Sequence, residues 1–395
     1  MKNNSRLAKN GKTKILALTG IRSEYDLVWS LLKKLASDPV FDSGVIISGA
    51  HMSPLHNYSW RHVAADGFRV AAKIENLIYS NTAAGKAKST AVLVHDLAQV
   101  LSSETPDLLL VTGDREEPIA GALAATYLGI PVVHLCGGDN TCPDMGDVDE
   151  SVRHAVTKLS HIHLTMAESH SERIRMMGEE SWRVFTVGNG GLDRLRLAKK
   201  YSAAEMTGLL GPDIRRKYIV LIYHPLSSET QPYANMRTCL DACLEAGCPV
   251  FVGSPNSDPG WQEVQRAIDE VSSNPLVHPY RNLERRAFVT LLGGAAALVG
   301  NSSLAFHEAS YIGLPAVNAG QRQKGRLHGN NVVFCPLEPE ALVKAVKRAV
   351  FDGKYRSRVS CGTSPYGDGH MAEKALRVLK NLPGREKLLA KRVTY

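Results

Sequence analysis

The sequence predicts an α/β protein of two doubly wound domains, each a parallel sheet with helices on both faces. Three observations predict it. Short apolar runs bounded by turn residues alternate with segments of helical period. The alternation runs twice, once from Lys14 to about Val187 and again from Tyr218 to about Val350. The length, 395 residues, accommodates two or three domains of ordinary size.

In the first half the strands fall at 14–19 (KILALT), 45–48, 70–74, 108–112 and 131–135. Helices fall between them at 24–36, 89–101, 118–127 and 149–159, and strand and helix alternate once more up to Val187. Leu27, Leu31, Leu32 and Leu35 share one face of the first helix. Residues 49–58 and 136–147 read as loops. In the second half the strands are 218–223 (YIVLIY), 250–252, 297–299, 315–317 and 332–334. Helices are expected at 234–246, 261–272, 284–293, 304–311 and 338–350. Crossovers between parallel strands are expected to be right-handed. The organisation is thus a basic tail (1–13), a first domain (14–200), a second (201–365) and a terminal segment (366–395) with one further helix.

Composition limits the function. Hydrophobic residues are 44% and charged residues 22%, a balance that fits a packed globular chain rather than a disordered one. The formal charge of +8 suits an anionic ligand, but part of it sits in the termini, at Lys2, Arg6, Lys9, Lys12 and Lys14 and at Arg385, Lys387, Lys391 and Arg392. No nucleic-acid module signature accompanies it, so no nucleic-acid partner is expected. Seven cysteines, an odd number without a CxxC pair, argue against a zinc site or a disulfide framework and for a reduced, cytoplasmic setting. No apolar run reaches membrane-spanning length, so no membrane partner is expected.

The candidate functional residues cluster at the carboxyl ends of predicted strands, where open parallel sheets hold ligands. Gly20-Ile21-Arg22-Ser23-Glu24-Tyr25 follows the first strand. Ser23 can cap the helix, and Arg22 adds a permanent cation for a phosphate. A capped surface turn with a solvated arginine is the alternative. The glycine spacing is not that of a dinucleotide fold. Thr112-Gly113-Asp114-Arg115 ends an apolar strand and projects Asp114 where an acid or base belongs, or where an N-cap aspartate would sit. His134-Leu135-Cys136-Gly137-Gly138-Asp139 follows another strand, its glycines marking close backbone approach. Asp149 and Glu150 fall in the first turn of a helix, with Arg153 on the face of Asp149. His161 and His163 read as packed core histidines. In the second half, His224-Pro225 ends a strand and His224 can donate to phosphate or carry a proton near neutral pH. Gly300-Asn301-Ser302-Ser303 offers amides and hydroxyls to a phosphate, and Glu308 follows where a carboxylate can grip a ribose diol. Pro255-Asn256-Ser257-Asp258 and the loop from Gly320 to Arg326, with three cations, complete the set.

These motifs, in this order, resemble those of the hydrolysing UDP-N-acetylglucosamine 2-epimerases, over about residues 14–380. The carrying patterns are G-x-R-S/A-E-Y at 20–25, G-D-R at 113–115, G-G-D/E at 137–139 and R-H-A-x-T-K-L-x-H at 153–161. H-P at 224–225, P-N-x-D at 255–258, G-N-S-S at 300–303, R-Q-x-G-R at 322–326 and P-Y-G-D-G at 365–369 follow. The resemblance implies two Rossmann-like domains facing a cleft, as in glycosyltransferases of the B type, with the C-terminal helix crossing back to the first domain. It implies chemistry without metal or cofactor, and a homo-oligomer, dimer or tetramer. The family reaction eliminates UDP through a 2-acetamidoglucal, then adds water to release N-acetylmannosamine for sialic-acid-like sugars. By position, Arg22, His224, Asn256, Ser302, Ser303, Glu308 and Arg322 correspond to UDP contacts, with Arg115 near the diphosphate. Asp114 and Asp149 correspond to acids implicated in proton transfer, and Glu150 adjoins them.

Two departures bear on the sugar. Many relatives carry glutamate where this chain has Cys136, and a thiol at ordinary pKa does not replace a carboxylate base. Either Asp139 substitutes, or the acid–base assignment differs. The stretch between Asp139 and Asp149 also carries extra residues, and Leu304-Ala305 replaces the usual S-G. An epimerase of a 2,4-diacetamido-trideoxyhexose nucleotide is therefore the second reading. A non-hydrolysing epimerase, a glycosyltransferase and a non-catalytic nucleotide-sugar binder are the others.

Overall fold

The computed structural model describes residues 11–54, 58–78, 82–140, 148–226, 229–255, 260–281 and 283–394. It divides into two compact units. The first comprises residues up to Asp139, Val148–Arg194 and Tyr366 onward; the second comprises Leu195–Pro365.

The first unit contains β1 (Thr13–Thr19), α1 (Arg22–Ser37), β2 (Phe41–Ile47), α2 (Trp60–Ala65), β3 (Val70–Lys73), α3 (Ala83–Glu104), β4 (Leu108–Thr112) and α4 (Glu116–Tyr127). It continues with β5 (Val132–Leu135), α5 (Val148–Leu159), β6 (Ile162–Thr165), α6 (Glu168–Met176), β7 (Val184–Thr186) and α7 (Gly190–Leu197). The strands form one sheet in the order β3-β2-β1-β4-β5-β6-β7, with every pairing parallel. Strands covered on both faces must be apolar throughout, and all of β4 (LLLVT) is buried. Leu93, Leu97 and Leu101 recur every four residues along α3 and pack with Leu16, Leu18, Leu109 and Val111 of the sheet. Each such leucine contributes about 1.5–3 kcal/mol of burial free energy.

The second unit contains α8 (Ala203–Leu210), β8 (Ile219–Ile222), α9 (Pro232–Leu244), β9 (Val250–Gly253), α10 (Trp261–Asp269), β10 (Val277–Tyr280), α11 (Arg285–Gly294) and β11 (Ala297–Gly300). Then follow α12 (Leu304–His307), β12 (Ala316–Ala319), β13 (Val332–Cys335), α13 (Pro339–Phe351) and α14 (Gly353–Ser360). Its six strands are ordered β10-β9-β8-β11-β12-β13, again all parallel, the Rossmann arrangement. Met236, Cys239, Leu240 and Cys243 of α9 and Leu342, Val346 and Val350 of α13 pack over Leu221, Val252 and Val299. The six described cysteines are all free.

Both sheets reverse direction of winding at one place, between β1 and β4 and between β8 and β11. At such a switch point the loops leaving adjacent strands part to opposite faces and leave a crevice. Gly20 and Gly113 flank the first switch point, His224 and Gly300 the second.

Several elements differ from expectation. Strand β10 was unforeseen because its sequence, VHPY, contains a proline; as the edge strand of its sheet it tolerates one. Helices α2 and α14 were also unforeseen. The helix expected at 304–311 is the single turn α12, because the amide of Ala309 bonds back to Leu304 O at 3.0 Å and widens the turn, after which the chain breaks to Gly313. The serine expected to cap α1 does not: the helix starts at Arg22, its N-cap is Ile21, and no side chain caps it.

The chain ends in two helices, α15 (Met371–Lys380) and α16 (Arg385–Leu389), both in the first unit. The Asp193 carboxylate accepts from the amides of Met371 and Ala372, each at 2.8 Å, an anion on a helix start. The buried Arg183 guanidinium donates to Leu388 O (2.8 Å), Ala390 O (3.1 Å) and His161 O (3.2 Å). Beside it the fully buried Glu179 carboxylate receives Lys158 and Lys391, each at 2.8 Å, and His163 Nε2 at 3.2 Å. Burial works against the Glu179 charge, but the bonds from His163, Lys158 and Lys391 prevail and hold its pKa down to about 2. His161 is buried and its Nδ1 accepts the Val132 amide at 3.1 Å, so both histidines of the HIH run are packed and bonded.

Because Glu179 is held below its ordinary value of 4.5, its contribution to stability is full above that value and disappears as pH falls toward 2. Glu179→Gln is expected to cost about 3 kcal/mol at pH 7, chiefly by leaving the mostly buried Lys391 ammonium without its counter-charge. It should also flatten the acid limb of the unfolding midpoint, followed by circular dichroism from pH 7 to pH 2.

Candidate active site

In the first unit the acids are organised by Arg153, whose side chain is fully buried on α5. Its Nη2 donates to Asp114 Oδ2 beyond β4, and its Nη1 donates to Glu150 Oε2, one helical turn back, and to Asp139 O at 3.3 Å. Burial opposes the guanidinium charge, yet Asp114, Asp139 and Glu150 outweigh it and raise its pKa. A buried arginine with several carboxylates around it is a fixed fork, so it sets where those carboxylates sit. Glu150 also meets His154 Nε2 at 3.1 Å. Asp139 is buried, with His170 Nε2 3.4 Å from its Oδ1. Asp149 is half-buried in the same first turn of α5 as Glu150. Asp114 is therefore no N-cap: α4 starts after Arg115, which occupies that position without capping it through its side chain.

The β5 loop sits against this group. His134 Nε2 donates to Gly113 O at 2.8 Å, and burial lowers the ring's pKa to about 3, so it stays neutral. Cys136 holds a φ of +68°, a left-handed conformation that costs a β-carbon residue energy. Its thiol is buried and pushed up, first by burial and then by Asp139 and Asp114, so it remains protonated and has no charge with which to act as a base. Asp139 is the carboxylate among the described residues of this loop, 136–140. Arg22 opens α1 past Gly20, and Arg115 reaches Glu116 at 3.8 Å.

In the second unit the Asn301 side chain spans the switch point. Its Oδ1 accepts the His224 amide at 2.8 Å and its Nδ2 donates to His224 O at 2.7 Å. Gly300, with φ +124°, must lack a β-carbon, which would lie 1.9 Å from Ile222 O. Asn301 O accepts Gln323 Nε2 at 3.0 Å, and Arg322 Nη1 lies 3.4 Å from the same oxygen. His224, Ser302, Ser303 and Arg322 are thus gathered around Asn301. Ser303 is the N-cap residue of α12 but makes no side-chain cap, and Ser302 Oγ accepts the Leu304 amide at 3.4 Å. With one turn only, α12 supplies a weaker dipole than the expected longer helix. Glu308 is engaged by Arg285 at 3.0 Å, both mostly buried. Arg326 is buried and donates to Gln323 Oε1 at 2.6 Å, so the cationic loop turns one of its three charges inward. Asn256 lies outside the described residues.

The family model for UDP-N-acetylglucosamine 2-epimerase matches residues 33–380. The chain belongs to that family. A hydrolysing UDP-N,N'-diacetylbacillosamine 2-epimerase from Legionella pneumophila is 32% identical over 383 residues, covering 97% of this chain and 99% of the relative. A GDP/UDP-N,N'-diacetylbacillosamine 2-epimerase from Campylobacter jejuni is 26% identical over 327 residues, covering 82% and 84%. Among solved structures, the UDP-GlcNAc 2-epimerase of Neisseria meningitidis bound to UDP-GlcNAc shares the fold, with a TM-score of 0.81, 20% identity, and coverage of 94% of this chain and 100% of that one. The chain is a UDP-sugar 2-epimerase by family, and no helix among the described residues is long and apolar enough to cross a membrane.

The sequence does not single out Arg153 or His170 as site residues, nor Asn301 as the bridge to His224. Arg153 carried a signal, its spacing from Asp149 and Glu150, but its bond to Asp114 joins residues 39 apart and has no local trace.

Asn301→Ala in this epimerase is expected to remove the two side-chain bonds to the His224 amide and carbonyl, at about 0.5–1.5 kcal/mol each. Chemical denaturation of the purified variant measures the loss.

Proposed function

We propose that this chain is a hydrolysing 2-epimerase of a UDP-linked 2-acetamido sugar, and that it prefers a 2,4-diacetamido-trideoxyhexose to N-acetylglucosamine. The observation that carries the chemistry is Arg153 holding Asp114 and Glu150 together at the end of β4, with Asp139 alongside. The C2–H of a 2-acetamido sugar is a weak acid, so its removal needs a carboxylate base fixed in place rather than free to rotate. One acid of this group takes the C2 proton while UDP departs from C1, giving a 2-acetamidoglucal. Return of a proton to the opposite face of C2 and addition of water at C1 then release the free 2-epimer.

The second unit supplies groups suited to UDP: His224, Ser302, Ser303 and Arg322 around Asn301, with Glu308 for the ribose, and Asn256 by its place in the motif. Arg22 and Arg115 of the first unit suit the diphosphate, whose charge grows as the C1–O bond breaks. The preference for a diacetamido sugar is supported by the Legionella relative, which is similar over almost the whole chain. It is supported also by the neutral Cys136 on the loop where many relatives carry a charged side chain.

Pure protein incubated with a panel of UDP- and GDP-linked amino sugars should release UDP and the free 2-epimer of the 2,4-diacetamido sugar, identified by mass and NMR. Intact UDP-linked epimer would instead make the enzyme non-hydrolysing, and release that depends on an acceptor would make it a transferase. Asp114→Asn is expected to lower turnover by about 10²–10⁴-fold while UDP still binds. Ser302→Ala should chiefly weaken UDP binding, read by calorimetry, and leave turnover at saturation little changed.

A further inference from the structure

Two glutamates, Glu24 and Glu117, both lie against Gly20 at the switch point of the first sheet and take no part in the account above. Glu24 lies in the first turn of α1 and Glu117 in the first turn of α4, and they are 5% and 6% exposed. The Glu117 carboxyl fills a slot cleared by two glycines: a β-carbon on Gly20 would lie 1.9 Å from its Oε1, and one on Gly49 2.2 Å from the same atom. The slot is braced by the end of β1 and the segments that follow β2 and β3. The His51 amide bonds Gly20 O at 2.9 Å, the Gly49 amide bonds Asn76 Oδ1 at 2.9 Å, and the His51 ring lies between Thr19 Oγ1 (3.2 Å) and Ser59 Oγ (2.8 Å).

Hydrogen-bond accounting shows the difficulty of charging both groups. The Gly20 amide donates to Glu24 Oε2 at 3.2 Å. Glu24 Oε1 and Glu117 Oε2 are buried and have no partner among the described residues. Two buried carboxylates with so few donors would be costly, whereas one proton between them removes half of the charge.

We propose that Glu24 and Glu117 form a carboxyl pair that holds one proton at neutral pH and positions the turn 20–22 and Arg115. The charged neighbours are consistent with it. Burial first, then the Glu117 charge, push Glu24 well above the usual carboxylate range; Asp114 adds to this, and Arg115 and the Gly20 amide pull the other way. With both glutamates ionised and Asp114 nearby, Arg115 would be surrounded by negative charge and the region would repel a diphosphate. One proton on the pair leaves Arg115 able to meet it. Glu24 and Glu117 are positioning residues, since nothing places them on the substrate. The consequence for the diphosphate rests on the proposed UDP reading; the shared proton does not.

Infrared spectroscopy of the ligand-free full chain in D₂O tests the proton directly. At pH 7 the wild type should show a protonated-carboxyl C=O stretch, reduced by at least about half in Glu24→Gln and in Glu117→Gln, with folding of each checked by circular dichroism. The absence of that band from the wild type overturns the pair, as does a band that either folded variant leaves at full height. Titrating the wild-type band needs no variant and gives the pH at which the proton is lost. Calorimetry with UDP then tests the linkage. The wild-type dissociation constant should rise by up to about tenfold per unit above that pH, and Glu117→Gln, with one ionisable group fewer, should abolish the rise. A wild-type constant flat across that pH overturns the positioning role. If UDP does not bind the wild type at all, the UDP reading fails, and the positioning of Arg115 for a diphosphate fails with it; the infrared result still decides the shared proton.

Discussion

A fully buried guanidinium cannot remain without counter-charge, and the geometry around Arg153 follows from that requirement. Asp114 arrives from the end of β4, Glu150 from the start of α5 and the Asp139 carbonyl from the loop after β5. Three separate chain segments are brought onto one guanidinium, and neither Asp114 nor Glu150 can shift without giving up its bond to a buried cation. The cost of burying Arg153 is offset by the acids, and the acids in turn are held in place by it.

The sheet makes this arrangement possible. Because β4 lies beside β1 and also beside β5, the loops leaving all three strands emerge at one edge, on either side of the switch point. The second unit repeats the design, with β8 and β11 adjacent and the Asn301 amide joining their ends. Glycine at 300 is a steric necessity there, since the chain passes against the Ile222 carbonyl. The two units hold different chemistry on the same scaffold: acids braced by a cation in the first, and amide, hydroxyl and guanidinium donors in the second.

The alternation of apolar runs and helical periods carried the fold class, because strands buried on both faces must be apolar along their length. The pattern was silent where stability comes from position rather than composition. Strand β10 contains His278 and Pro279 and is read as a strand only once its edge location is known. Helix α12 stops after one turn for reasons of backbone bonding that its side chains do not announce. At the site, Asp114, Asp139 and Glu150 were visible as acids at strand ends or a helix start. Their common partner Arg153 was not assigned to Asp114, since that bond depends on tertiary structure. Glu117 was invisible for the same reason: only the folded chain shows that Gly20 and Gly49 make room for it. At Cys136, burial and two nearby acids push the thiol's pKa up and keep it neutral.

The central claim is that the Arg153-braced acids exchange the C2 proton of a nucleotide-linked amino sugar. The most direct measurement is the reaction run in D₂O with the accepted substrate, followed by NMR of the released sugar. The account requires a single deuterium at C2 and an inverted configuration there. Free sugar that keeps protium at C2 would contradict it, because UDP would then have left without the acids touching that carbon.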